Sequence, residues 1–253
     1  MKIRKLLTIA ALVMLALFSF GSAASATSDL PTLPGIELSD EPADVSNTIT
    51  ILLLLTLLSL APSIIILMTS FTRVVVVLGF VRTALATQQM PPTQVLVGLS
   101  LFITMFIMAP TISTINETAL QPYLNNEISQ QEALETAVVP MKEFMAKHTR
   151  EKDLLLFLNY SNAEKPAGYA DIPLTALVPA FAISELKTAF QMGFMIFIPF
   201  LVIDMVVSSV LMTMGMMMLP PVMISLPFKI LLFILVDGWH LVVKSLLLSF
   251  NTG

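Results

Sequence analysis

Beyond residue 47 the chain is organised by four long apolar runs, about Ile49 to Ser70, Val95 to Ile112, Phe190 to Val210 and Ile224 to Leu248. Each is close to the length a helix needs to cross a hydrocarbon layer about 30 Å thick, at a rise of about 1.5 Å per residue. The runs fall into two close pairs, and a polar stretch from Ser113 to Glu185 separates them. Paired apolar runs with short connectors read as helical hairpins. The polar stretch also reads as helical. Ser129 and Glu132 have the spacing of a capping box. Leu134, Val138, Met141, Met145 and His148 recur on one helix face. Pro140 is expected to kink this helix or to start a new one. Pro166, Gly168 and Pro173 mark a loop. No segment alternates with the period of a strand. The expected fold is all-α: two long helical hairpins, 48–112 and 186–253, flanking a small helical segment at 113–185.

The N-terminus reads as a processing signal. Lys2, Arg4 and Lys5 precede an apolar run from Leu6 to Phe20, and Ala24-Ser25-Ala26 has the A-x-A form of a cleavage site. Residues 1–26 are therefore expected to be a cleavable signal peptide cut after Ala26, with a short first transmembrane helix as the competing reading. Residues 27–47, with Pro31, Pro34, Pro42 and several acids, cannot bury a core and read as a flexible lead-in outside the cytoplasm.

Composition turns these runs into a membrane assignment. Of 253 residues, 56% are hydrophobic and 12% charged, against about 45–50% and about 25% in soluble domains. Mean hydropathy is +0.88. The net charge of −4 is thinly spread, so nucleic acid, which needs clustered Lys and Arg, is not an expected partner. There is no Cys, which removes thiol chemistry. Walker, zincin, nucleophile-elbow and dinucleotide-binding motifs are absent. His148 and His240 have no metal-ligand set around them. Neither an enzyme nor a cofactor is expected. Between Asp44 and Glu117 the only charged residues are Arg73 and Arg82. Short loops bearing Lys or Arg stay in the cytoplasm. The tip of the first hairpin is therefore expected in the cytoplasm, and both segment 113–185 and the C-terminus outside it.

Several residues suit contact with protein better than contact with lipid. Pro62 and Pro199 free backbone carbonyls that need partners. Asp204 lies inside the third run; it could bind a cation, or hydrogen-bond across helices or to backbone freed by Pro199. Asp237, His240 and Lys244 follow i, i+3, i+7 along the fourth run. They read as a polar seam between helices or as a proton relay. Arg73 and Arg82 read as headgroup anchors that set topology, or as ion-pair partners of another subunit. Glu185 and Lys187 fit a solvated helix start, and His148 an interfacial packing position. The most unusual stretch is Met212 to Pro221, with Met212, Met214, Met216, Met217 and Met218 around Gly215. Thioether side chains re-pack around irregular partners. Gly215 loosens the backbone and Pro220-Pro221 end any helix. Copies of this loop around an axis would form a deformable apolar gasket; ordinary helix-tip packing is the other reading. At the level of function, an ion-coupled transporter using Asp204 and the Asp237 face, or a purely structural scaffold, remain alternatives.

Three stretches carry a family likeness: Ser59 to Pro62 continuing through Thr69-Ser70-Phe71-Thr72-Arg73 to Arg82; Gln88-Gln89-Met90-Pro91-Pro92-Thr93-Gln94; and Pro179 to Asp204, continuing through Met216-Met217-Met218-Leu219-Pro220-Pro221 to Pro227-Phe228-Lys229 and Asp237-Gly238-Trp239. From about 48 to 250 the chain resembles the FliP family of export-gate subunits and its relatives in virulence secretion systems. The resemblance implies several copies assembled with FliQ and FliR in the inner membrane at the flagellar basal body, with FlhA and FlhB beside them and substantial periplasmic exposure. It implies passage of unfolded flagellar proteins, no catalytic site, and a constriction formed by the Met-rich loop. It also implies that helices that look membrane-spanning are largely raised toward the periplasm and packed on other subunits. The signal peptide favours the flagellar branch over the virulence branch.

Overall fold

The computed structural model describes residues 42–87, 89–161, 166, 168–216 and 219–251, with backbone alone at 42–48, 61, 62 and 65. The proposed signal peptide, its Ala26 cleavage site, nearly all of the lead-in, and Met217 and Met218 lie outside the described residues. Every regular element among the described residues is helical, so the fold is all-α. The chain divides into two compact units, Met1–Ser59 and Leu60–Gly253. Helix α1 (Pro42–Leu67) supplies everything described of the first unit, and its leucines from Leu52 to Leu58 are exposed.

The second unit is built around α2 (Phe71–Ala84). Its sequence is unexpected for a helix, because Val74 to Val77 are four consecutive β-branched residues. Each costs a few tenths of a kcal/mol relative to Ala. Val74, Val77, Leu78, Val81 and Ala84 are fully buried, and burying a Val or Leu returns about 1.5–3 kcal/mol. Burial wins by a wide margin. The sequence pattern assigned this segment to the connector of a hairpin; it is instead the centre of the core.

Helix α3 (Thr93–Ile115) returns alongside α2 and runs through a π-turn at Asn116–Leu120 into the short α4 (Gln121–Leu124). Helix α5 (Gln130–His148) begins where expected: Ser129 is its N-cap, and the Glu132 N–H donates to Ser129 Oγ at 3.2 Å. It continues through Pro140 as one helix. Of its expected apolar face, Met145 is fully buried whereas Leu134 is exposed. Helix α6 (Glu151–Tyr160) and a turn at Tyr169–Asp171 lead to α7 (Leu174–Thr213). Helix α7 spans 40 residues, so it crosses position 185, where the sequence pattern ends the polar segment. Helix α8 (Pro221–Leu235) runs back along α7. Helix α9 (Gly238–Asn251) leaves it at a 62° bend, so the fourth apolar run is two helices and not one.

By length and composition, Thr93–Leu124 and Leu174–Thr213 can each cross a membrane, and the bent α8–α9 pair is a third candidate. Two buried clusters organise the unit. One joins α2, α3, α7, α8 and α9 through Val77, Leu78, Ile103, Ala189, Phe200, Phe233 and Leu246. The other joins Met108, Phe144, Met145, Leu177 and Phe181.

Gly193 of α7 lies against Phe80 of α2. A Cβ there would lie 2.4 Å from Phe80 Cδ2 and Cγ, and the Phe80 ring is held edge-on against Phe190 at 5.3 Å. Gly193→Ala is therefore expected to cost about 1–3 kcal/mol through overpacking. Adding Phe80→Leu should recover part of that loss. Thermal unfolding of the singles and the double in detergent checks this; additive losses would show that the contact is not limiting.

Candidate functional site

Two buried ionic groups and one exposed loop stand out in the second unit. The first centres on Arg73 in the opening turn of α2. Its Nε donates to Glu185 Oε2 at 2.9 Å, and its Nη2 donates to Glu185 Oε1. Its Nη1 donates to the Ser249 carbonyl at 3.1 Å and to Ser249 Oγ at 2.9 Å. The guanidinium carbon also lies 3.8 Å from the centroid of the Phe250 ring. Side-chain exposure is 4% for Arg73 and 0% for Glu185. Charges this deep are tolerable only when paired and hydrogen-bonded, and the planar fork of Arg satisfies a carboxylate through two parallel bonds. Next to Glu185 on α7, Ser184 Oγ donates to Asp153 Oδ2 at 2.7 Å and accepts the Arg150 N–H at 3.1 Å. Two adjacent residues of α7 thus fasten α2 and α6, and Arg73 carries the link on to α9.

This arrangement corrects three sequence expectations. Arg73 is neither a headgroup anchor nor a free topology signal, because its charge is neutralised inside the protein. Glu185 is not at a solvated helix start; it is buried within a long helix. The inferred topology fails as well. It placed Arg73 in the cytoplasm and both Glu185 and the C-terminal residues outside it, yet Arg73 bonds to Glu185 and Ser249. All three lie on one side. Arg82, by contrast, is half-buried and donates from Nη1 to Thr93 Oγ1 at 3.1 Å, joining the end of α2 to the start of α3. Lys187 is exposed.

The second ionic group joins α7 to α8. Lys229 Nζ donates to Asp204 Oδ2 at 2.7 Å, and Ser225 Oγ donates to Asp204 Oδ1 at 2.5 Å. Asp204 therefore bonds across helices, one of the alternatives its position left open. The expected polar seam does not extend further within one chain. Asp237 has φ +49° and forms the corner between α8 and α9, so it does not share a helix face with His240 and Lys244. All three are exposed, and none takes part in an ion pair among the described residues. Among the described residues no group of three or more acids or histidines could hold a metal.

The Met-rich loop begins with a definite helix stop. The Gly215 N–H donates to the Met212 carbonyl at 3.1 Å, and the Met216 N–H to the Leu211 carbonyl at 3.0 Å. Gly215 has φ +71°. This is the Schellman motif with glycine in its left-handed position. In the folded chain Gly215 caps α7, where its composition suggested a loosened backbone. Pro220 is the N-cap of α8 and Pro221 its first residue, where the fixed proline φ suits a helix start. Met212, Met214 and Met216 are all exposed, Met214 at 65%, so none packs into the core of its own chain.

The comparisons with known proteins bear on most of the second unit. The family model of the FliP family matches residues 54–246. Flagellar biosynthetic protein FliP of Bacillus subtilis is 70% identical over 212 residues, which cover 84% of this chain and 96% of that protein. The chain belongs to the FliP family. Flagellar biosynthetic protein FliP of Aquifex aeolicus is 50% identical, covering 87% of this chain and 92% of that protein. Its counterpart in Caulobacter vibrioides is 54% identical, covering 79% and 75%.

The family match takes in Arg73, Glu185, Asp204, Ser225 and Lys229 and stops short of Ser249 and Phe250. Several residues of these groups escaped sequence reasoning. Glu185 looked solvated because it borders a polar stretch. Lys229 sits inside an apolar run, and an ionisable residue there is a signal in itself. Ser249 and Phe250 carried no signal, since nothing local places them beside Arg73.

Proposed function

We propose that this chain is a core subunit of the flagellar protein export gate in the bacterial inner membrane. The chain is a membrane-embedded member of a family named for flagellar biosynthesis, and its role is structural, not enzymatic. In this reading several copies assemble with FliQ and FliR, beside FlhB and FlhA, and unfolded flagellar proteins pass between them. Much of the chain faces the periplasm. The loop from Met212 to Met218 forms the constriction, with Gly215, Pro220 and Pro221 setting where it begins and ends. Asp237, His240 and Lys244 meet neighbouring subunits.

The observation that carries this reading is the exposed thioether surface of Met212, Met214 and Met216, held between a capped helix end and a proline-initiated helix start. Flexible thioethers can close against one another and yield to a chain of varied side chains. The ion-coupled alternative lacks comparable support, since Asp204 is engaged by Lys229 and Ser225 and is not a free carboxylate.

The test is the triple replacement of Met216, Met217 and Met218 by Ala. The complex is expected to assemble, and the resting membrane to become leaky to small ions, because Ala removes the volume that fills the axis. Export should persist. Ion permeability at the wild-type level in cells containing an assembled complex would sink the constriction assignment. Co-purification from mild detergent without FliQ and FliR would sink the assembly.

A further inference from the structure

His148 ends α5 beside the Arg73 group and has no role in the reading above. Its ring sits between Phe144, at 4.8 Å between centroids, and Phe250, at 5.1 Å. Nδ1 lies 2.8 Å from the Phe144 carbonyl oxygen. A carbonyl can only accept, so Nδ1 carries the proton, and in the neutral ring Nε2 is a bare acceptor. Nε2 is buried and has no hydrogen-bond partner among the described residues. Phe250 is shared: one neighbour is this imidazole and another is the Arg73 guanidinium. A cavity of about 610 Å³ adjoins the ring, lined in part by Phe106, Pro110, Lys147, Leu247 and Asn251.

The charged groups around the ring come from several elements. From α2 comes Arg73, which already engages Glu185 of α7. From α5 itself come Lys147 and Glu143, paired with each other at 3.0 Å. Arg150, just beyond, is paired with Asp153 of α6. The cavity-lining residues of α3 and α9 are uncharged. Among the described residues, a new positive charge on the ring would therefore find no free acid.

We propose that His148 is a proton-operated latch that clamps the last turn of α9 to α5. The neutral ring wedges between Phe144 and Phe250 and holds Phe250 under Arg73. A proton on Nε2 places a second cation against the ring that Arg73 already covers. The adjoining cavity gives the imidazolium a way out toward water. Phe250 then loses one neighbour, and α9 loosens from its C-terminal end.

The direction in pH follows from the cost of charging the ring. Burial lowers the His148 pKa below its usual 6.5; the Phe144 and Phe250 backbones offset this in part, and the charges of Arg73 and Lys147 lower it further. A histidine harder to protonate folded than unfolded contributes stability that is complete above the unfolded value. That stability is lost as pH falls below 6.5 toward the lower folded value.

Hydrogen exchange in the α9 peptide Lys244–Asn251, on the full chain purified in detergent, tests the latch. Protection corrected for intrinsic exchange should fall roughly threefold or more between about pH 7.5 and about pH 5.5. His148→Phe, which keeps an aromatic wedge but cannot take a proton, should abolish that dependence. Unchanged wild-type protection, or equal loosening in the variant, overturns the proposal. The chain has two histidines, so His240→Gln leaves one imidazole signal for NMR. Its titration midpoint must coincide with the midpoint of α9 exchange, and a mismatch overturns the latch even where His148→Phe does not fold. The measurement needs no partner protein, so its outcome is separate from that of the export reading.

Discussion

Arg73→Met is expected to destabilise the second unit by about 3–5 kcal/mol, because it leaves Glu185 buried with no counter-charge. A loss of that size is comparable with the whole stability of many domains, which is about 5–15 kcal/mol, so the visible result should be a collapse in the yield of folded, membrane-extracted protein. Glu185→Leu should do similar harm from the other side, stranding the guanidinium. The informative case is the double variant. With both charges gone, two apolar side chains of similar bulk fill the space between α2 and α7, and buried pairs replaced in this way are often neutral. Most of the loss should therefore return. Arg73→Lys should fall between, since a single ammonium cannot reproduce the two bonds to the carboxylate and the two to Ser249. Denaturant unfolding in detergent, read as a double-mutant cycle, separates the contributions. A double variant as unstable as either single would move the weight from the ion pair to the Ser249 bonds and the Phe250 stack.

The Asp204–Lys229 pair should respond asymmetrically. Lys229 is only 2% exposed and Asp204 is 25% exposed. Asp204→Ala strands a deeply buried ammonium, and the expected loss is again about 3–5 kcal/mol. Lys229→Met removes the buried charge and fits an apolar stem into the same space, while Asp204 keeps the Ser225 hydroxyl and some contact with water. It should cost less than the Asp204 change. The same unfolding series decides the order. If Lys229→Met proves the more damaging, Asp204 depends on the ammonium far more than its exposure implies.

Much of the architecture was legible in one dimension because it depends on short-range periodicity. Apolar runs of helical length, the Ser129 cap and the helix break at Pro220 and Pro221 are local facts. Each is fixed by residues within a turn or two of one another. The family likeness was also readable, since it rests on ordered motifs. The membrane character follows from composition, which needs no coordinates.

What hydropathy could not supply was the surroundings of each apolar or charged residue. The valine-rich stretch at Val74 to Val77 read as part of a connector, yet it is the core, because a β-branched run becomes helical when burial outweighs propensity. Arg73 read as a topology marker, since counting charges along a chain assumes that each one faces solvent. Its partners Glu185 and Ser249 are 112 and 176 residues away, and no local pattern carries a pairing across that distance. Asp237 read as a member of a helix face because spacing assumes a continuous helix, and one left-handed residue breaks it. Gly215 read as a source of freedom because composition cannot show the two hydrogen bonds that make it a cap. Residue type and spacing determined which elements form. Which charges are neutralised, which helix lies at the centre, and which faces remain open depended on long-range contacts, whose energies exist only once the helices have packed.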